Sequence, residues 1–371
     1  MAGAVVFAAA AAFGGLRPTA YDNYVYLAQA WLHGRLWIHW PGDWIDAIPY
    51  HGRAYVIEAP TPGVLMLPLV AVWGEAANQT LVSALLLGLG AAAGWTLCRR
   101  IGLRPALCAL TVGMLVFAST YFYAGAVGDV WFIAHASAVT FSMLALAELH
   151  GRRRGWLVAL WAIAAAFSRY PLLPAVAVYA WLVYQAGGRR GLRDFALVAL
   201  PLAGLWVAYN LARWGTVFDI GFTLFWKIMD VRSKSGEPAF GLLHVPMQLR
   251  ALFGLSGPAF TTAFPWIVPP KFGLSLTWTS LGFSGAFWAP LRERYVPYLW
   301  LLAILTLVPT LLYYGTGDYQ FGARHALDFL PFVTALLAYG LRRGVPRPIL
   351  AVCVLNVAFG LYEVIAFKYF S

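Results

Sequence analysis

Charge is what this sequence has least of. Asp, Glu, Lys and Arg make up only 11% of its 371 residues, against roughly 25% in an ordinary globular domain, and so few charges cannot solvate a soluble surface. Cysteine is scarcer still. Cys98, Cys108 and Cys353 all lie in or beside apolar runs, which speaks against a disulfide framework or a thiolate metal site and leaves them as packing residues. No GxxxxGK[ST] phosphate loop occurs, which speaks against an ATP-driven pump. Neither half of the chain repeats the other, as the halves of many transporters do.

What is present in excess is apolar. Hydrophobic residues make up 61% of the chain, with 24 Phe, 19 Tyr and 17 Trp, and they come in runs near the ~20 residues that cross a bilayer. The pattern predicts an all-α integral membrane protein, one polytopic domain over 1–371, with about eleven spans. These are 2–16, 78–98, 105–124, 130–149, 156–169, 171–185, 195–212, 274–290, 296–314, 325–341 and 348–367. The apolar piece 60–73 is short and broken by Pro62 and Pro68, so it reads as an interfacial or re-entrant segment. The first run also fits the apolar core of a signal peptide or a short tilted helix.

With the N-terminus inside, the inner loops collect Arg99, Arg100, Arg104, Arg152, Arg153, Arg154, Arg189, Arg190, Arg193, Arg292, Arg294, Arg342, Arg343 and Arg347, against Glu148, Asp194 and Glu293. Those charges alone account for the net +11. The basic balance is therefore the positive-inside bias of a membrane protein, and no nucleic-acid partner is implied. Polar material gathers instead in two outer loops, 17–77 and 213–273, both rich in Trp, Tyr, Pro and Gly.

Behind the first span, Tyr24, Leu27, Ala28, Trp31 and Leu32 recur at helical spacing, with Asp22 at the N-cap position and Gly34 as the stop. This reads as an amphipathic helix on the outer membrane surface. Farther on come Glu58-Ala59-Pro60-Thr61-Pro62-Gly63 and, in the second outer loop, Gly128-Asp129-Val130-Trp131. Tyr209-Asn210-Leu211-Ala212-Arg213-Trp214-Gly215 and Gly322-Ala323-Arg324-His325-Ala326-Leu327-Asp328-Phe329-Leu330-Pro331-Phe332 complete the series. Taken in this order, the motifs resemble those of GT-C membrane glycosyltransferases, in the branch of the protein O-mannosyltransferases and lipid A aminoarabinose transferases. One position departs from that branch: Ala59 stands where its aminoarabinose members have a lysine that touches the donor phosphate.

The resemblance implies sugar transfer from a polyprenyl-phosphate carrier to an acceptor (a lipid, glycan or protein) at the outer face of a bacterial inner membrane. Such chemistry needs a base for the acceptor proton, cations for the leaving phosphate and a groove for the lipid. Asp22 is the expected base, helped by Asp129; the two could also hold Mg²⁺ or Mn²⁺. Arg324, His325, Lys271 and Arg169 are the expected phosphate ligands, and Glu58, Tyr24 and Tyr55 are expected to contact substrate. Plainer roles compete: helix caps for Asp22 and Asp129, an exposed loop position for Glu58, an ion pair with Asp328 for Arg324. Arg232 and Lys234 flank a Ser/Gly stretch that could close on substrate. A catalytically silent accessory subunit and a lipid-linked substrate transporter or flippase are the alternatives to an enzyme.

Overall fold

The computed structural model describes residues 1–229, 236–255, 257–317 and 320–370; Arg232 and Lys234 lie outside them. The apolar runs become helices: α1 (Ala2–Gly14), α2 (Asn23–Leu32), α3 (Thr61–Trp73), α4 (Gln79–Ile101), α5 (Pro105–Val116), α6 (Tyr121–Val127), α7 (Val130–Leu149) and α8 (Gly155–Ala166). They continue as α9 (Leu173–Trp214), α10 (Gly221–Met229), α11 (Val245–Phe253), α12 (Leu276–Thr279), α13 (Val296–Leu312), α14 (Leu330–Arg343) and α15 (Arg347–Phe370). A hairpin of β1 (Ala47–Tyr50) and β2 (Arg53–Val56) pairs Ala47 with Val56 and Tyr50 with Arg53.

Gln79–Ile101, Val130–Leu149, the long Tyr170–Trp214 and Arg347–Tyr369 are long and apolar enough to cross a bilayer, and α5 with α6, bent by 64°, adds a fifth. This is fewer than the eleven spans expected, for identifiable reasons. The runs 171–185 and 195–212 are two helices, the arms of α9, separated by a kink at Gly188 (φ 57°, ψ −149°), a backbone conformation open to glycine, so Tyr170–Trp214 holds both expected runs. The run 274–290 is not a spanning α-helix: it holds the single turn α12 and a 3₁₀ stretch, Leu281–Trp288. There Gly282 packs against Cys353 and donates its N–H to Asn356 Oδ1 at 2.7 Å. Irregular backbone at membrane depth is tolerated where protein buries and satisfies it. α1, α8 and α13 are 13, 12 and 17 residues long, or roughly 18–26 Å at 1.5 Å per residue, short of the ~30 Å hydrocarbon core.

α4 shows how local signals set an element. Asn78 accepts the Leu81 N–H at 3.0 Å, Gly102 ends the helix at φ 101°, and Arg99 and Arg100 occupy its last turn, where cations favour the helix dipole. Gly3 of α1 lies so close to Gly88 of α4 that a Cβ would stand 2.5 Å from the Gly88 carbonyl oxygen.

Two ends follow from this packing. At one, the arginine loops meet: Arg342 reaches the Ile101 carbonyl, Arg100 that of Ala147, His150 the Tyr339 hydroxyl, and Gly155 touches Gly191. At the other lie the first loop, the α6–α7 turn, the α8–α9 junction and the approach to α14. α2 is helical as the periodicity predicts and stops at Gly34 (φ 67°). Its apolar face, however, packs on protein: Tyr24, Val25, Leu27 and Ala28 are fully buried, with Leu27 and Trp31 against Gly63 of α3.

Candidate functional site

The loop-rich end holds most of the protein's buried charge. Arg169, at the start of the turn into α9, donates from Nε to Asp328 Oδ1 (3.1 Å) and from Nη2 to Asp328 Oδ2 (2.9 Å), a bidentate clamp that fits guanidinium to carboxylate. The same Nη2 lies 3.1 Å from His325 Nδ1. His135 of α7 approaches Asp328 Oδ1 with Nδ1 at 3.4 Å, without hydrogen-bond alignment, and its ring centroid is 5.6 Å from that of His325. Asp328 therefore pairs with Arg169 and not with Arg324, as the one-turn spacing suggests. The 3₁₀ turn Arg324–Asp328 replaces the start of the tenth expected span.

A second layer comes from the first loop. Trp131 Nε1 donates to Asp46 Oδ2 at 2.7 Å, and Asn23 Nδ2 donates to the Asp46 carbonyl at 3.2 Å and to Glu58 Oε1 at 3.4 Å. Burial raises the Asp46 carboxyl above its ordinary value, while the Trp131 N–H and the charge of Arg324 pull it back. Burial, and then the charge of Asp46, holds Glu58 well above the usual carboxylate range. Glu58 is not an exposed loop glutamate; it is 7% exposed.

Arg213, at the end of α9, closes the third side. It is buried, donates from Nη2 to the Val56 carbonyl, lies 3.8 Å from Asp219 through Nη1, and acts on Glu58. Asp219 also accepts the Tyr170 hydroxyl at 2.7 Å. Several buried polar atoms in these layers have no hydrogen-bond partner among the described residues: Tyr24 Oη, Glu58 Oε2, His325 Nε2 and Arg213 Nε. Such atoms are costly unless something polar meets them.

The remaining expected residues are more scattered. Asp22 and Asp129 occupy the N-cap positions of α2 and α7, yet neither side chain caps its helix. Burial pushes the Asp22 carboxyl up to about 6; a bond to its own backbone N–H offsets part of this, and the charge of Glu75 adds to it. Asp129 accepts the Thr19 hydroxyl, and burial raises its carboxyl too. The two segments are joined by the Val130 N–H bonding to the Tyr21 carbonyl at 2.9 Å. Even so, no three His, Cys, Asp or Glu side chains among the described residues come together as a cation site. Arg324 is half-buried, 5.6 Å over the Phe132 ring. Lys271 is exposed, on a segment that runs beside 320–323: its carbonyl accepts the Gln320 N–H at 2.9 Å. Tyr55 packs in a small core with Ile48, Ile57 and Trp214.

From sequence, Asp46, Asp219 and Arg213 have no assigned role, and His135 reads as an interhelical hydrogen-bonding residue and not as part of a site. Arg213 had a signal, since it stands inside a quoted motif, and so did His135 as a polar group at membrane depth. For Asp46 the signal was only an acid among tryptophans.

No family model matches the sequence and no curated protein matches it. Solved structures do. ArnT from Cupriavidus metallidurans, determined bound to undecaprenyl phosphate, has a TM-score of 0.57 at 13% identity, over 96% of this chain and 62% of its own. The oligosaccharyltransferase of Archaeoglobus fulgidus, in its apo form, has a TM-score of 0.52 at 13% identity, over 99% and 55%. The chain shares its overall helical fold with these two membrane proteins. This chain spans less than two thirds of the length of either neighbour.

Proposed function

We propose that the protein transfers a sugar from a polyprenyl-phosphate carrier to an acceptor at the loop-rich end. That end faces the periplasm or exterior of an inner membrane, because the opposite end carries the arginines. The observation that carries this reading is the convergence of buried guanidinium, imidazole and carboxyl groups, some without a partner among the described residues, at one end of a fold shared with ArnT.

Each group has a task in the reaction. Arg324, with Lys271 on the adjoining segment, binds the donor phosphate; Arg169, committed to Asp328, holds His325 toward it. Arg213 stands against Val56 and Glu58, next to Ala59, and supplies the cation that the resembled branch draws from lysine. Glu58, whose carboxyl burial raises, presents its unpartnered Oε2 to a substrate hydroxyl, with Tyr24 beside it; Tyr55 backs this wall from its small core. Asp22 is the base. Its carboxylate has no side-chain hydrogen bond among the described residues and a proton affinity raised to about 6, close to the working pH that favours general bases. The acceptor O–H bond breaks and its proton goes to Asp22, while Asp129 orients the acceptor. The new bond forms at the anomeric carbon with inversion, and the carbon–oxygen bond to phosphate breaks, releasing polyprenyl phosphate with the electron pair. No role in these steps is assigned to a divalent cation.

Native mass spectrometry of mildly purified protein tests the donor site. Wild type is expected to carry polyprenyl phosphate or its sugar conjugate, and Arg324→Ala to lose it. Absence from both folded proteins would favour the silent accessory subunit, the reading that the missing lysine at Ala59 supports.

A further inference from the structure

Apart from this charged interior, a groove of about 320 Å³ opens beside the last turn of α1, α6 and the last turns of α15. Its floor is aromatic, with Phe13 and Phe367, and its rim carries Arg17, Lys368 and the Asp129 carboxylate. Thr19 already engages Asp129. The Lys368 ammonium sits 4.4 Å from the Phe13 ring centroid, so its stem crosses the apolar floor while its charge stays at the rim. Arg17 and Lys368 are both exposed, and neither forms an ion pair among the described residues. Two cations against one carboxylate leave the rim positive. Val5 of α1 and Leu361 and Ile365 of α15 point outward on the flanking helices. In a bilayer the groove therefore opens to lipid at the ends of two apolar helices, where head groups lie.

We propose that this groove binds the phosphate head group of an anionic membrane lipid, with Arg17 and Lys368 on the phosphate and the first carbons of the chains on Phe13 and Phe367. The groove shares Asp129 with the proposed acceptor position but does not include Arg324 or Lys271 of the proposed donor position.

The test uses the full chain in detergent, with retained ligand read by native mass spectrometry. The probes are dioleoyl phosphatidic acid, dioleoylglycerol and sodium phosphate. Phosphatidic acid is expected to be retained and dioleoylglycerol, which has the same chains without phosphate, to be lost. The doubly substituted Arg17→Ala, Lys368→Ala protein should bind phosphatidic acid on the order of tenfold more weakly, Lys368→Arg should bind normally, and Arg324→Ala should be unaffected. Equal retention by wild type and the folded double variant would overturn the proposal. Loss of retention in Arg324→Ala would overturn it as well, by placing the lipid in the donor cavity. Complete displacement by millimolar sodium phosphate would reassign the groove to a free anion and sink the lipid assignment.

Discussion

The two ends of the helical bundle use charge in opposite ways. At the arginine-rich end the pair between Arg342 and Glu293 is 33% and 35% exposed, and Arg342 also donates to the Ile101 carbonyl. At the loop-rich end Arg169 is 19% exposed and Asp328 not at all, and around them stand buried polar atoms that no described residue meets. Charges of the first kind cost little to place and mainly orient the chain in the membrane. Those of the second kind are expensive to bury, and unpartnered atoms among them imply a ligand or solvent that completes them. The contrast separates topology from chemistry.

The sharpest way to break that contrast is to remove the proposed base. Asp22→Asn should lower transfer by about 10²- to 10⁴-fold, the usual worth of a general base, while the protein still folds. In wild type the rate should fall as pH drops through about 6, because only the ionised carboxylate accepts a proton. Stability runs the other way. The folded carboxyl binds its proton more tightly than the ~3.9 of an unfolded aspartate, so its stabilising contribution is full below about pH 4 and is lost as pH rises through 6. Asp22→Asn should erase both dependences. A pH–rate profile that keeps its acid limb in the variant would remove Asp22 from the mechanism and move attention to Asp46.

Next comes the clamp. Arg169→Ala leaves Asp328 buried without its partner and should cost about 3–5 kcal/mol, read as an earlier melt in detergent. Replacing both members together, Arg169→Met with Asp328→Leu, should recover most of that stability, since an apolar pair of similar size avoids the desolvation penalty. Transfer should not recover, because His325 loses the guanidinium that holds it. Recovery of both would mean that the clamp serves packing alone.

How much of this was legible beforehand depends on how local each signal is. The helix at Asn23–Leu32 and its stop at Gly34 follow from periodicity and a left-handed glycine, both contained in a dozen residues. The break in α9 sits at Gly187-Gly188, again a local sign. The 3₁₀ stretch at Leu281–Trp288 was read as a span because its composition is apolar; what makes it tight is Cys353 and Asn356, some seventy residues away. The charged cluster was hidden for the same reason. Arg169, His135 and Asp328 come from three separate elements and meet only through packing. A one-turn spacing instead suggested that Asp328 belongs to Arg324.

The smallest expected effect lies at the opposite end and serves as the control. Arg342→Ala removes the ion pair with Glu293 and the bond to the Ile101 carbonyl, both at a surface where water replaces them. Exposed ion pairs contribute up to about 1 kcal/mol, so the melting temperature should barely move and transfer should be unchanged. Raising ionic strength should shrink even this difference, since screening acts on exposed pairs first, whereas the penalty for Arg169→Ala should be nearly insensitive to salt. If the two substitutions responded equally to salt, the pair at Asp328 would have to be as wet as the pair at Glu293, and the argument that buried charge marks the site would fail with it.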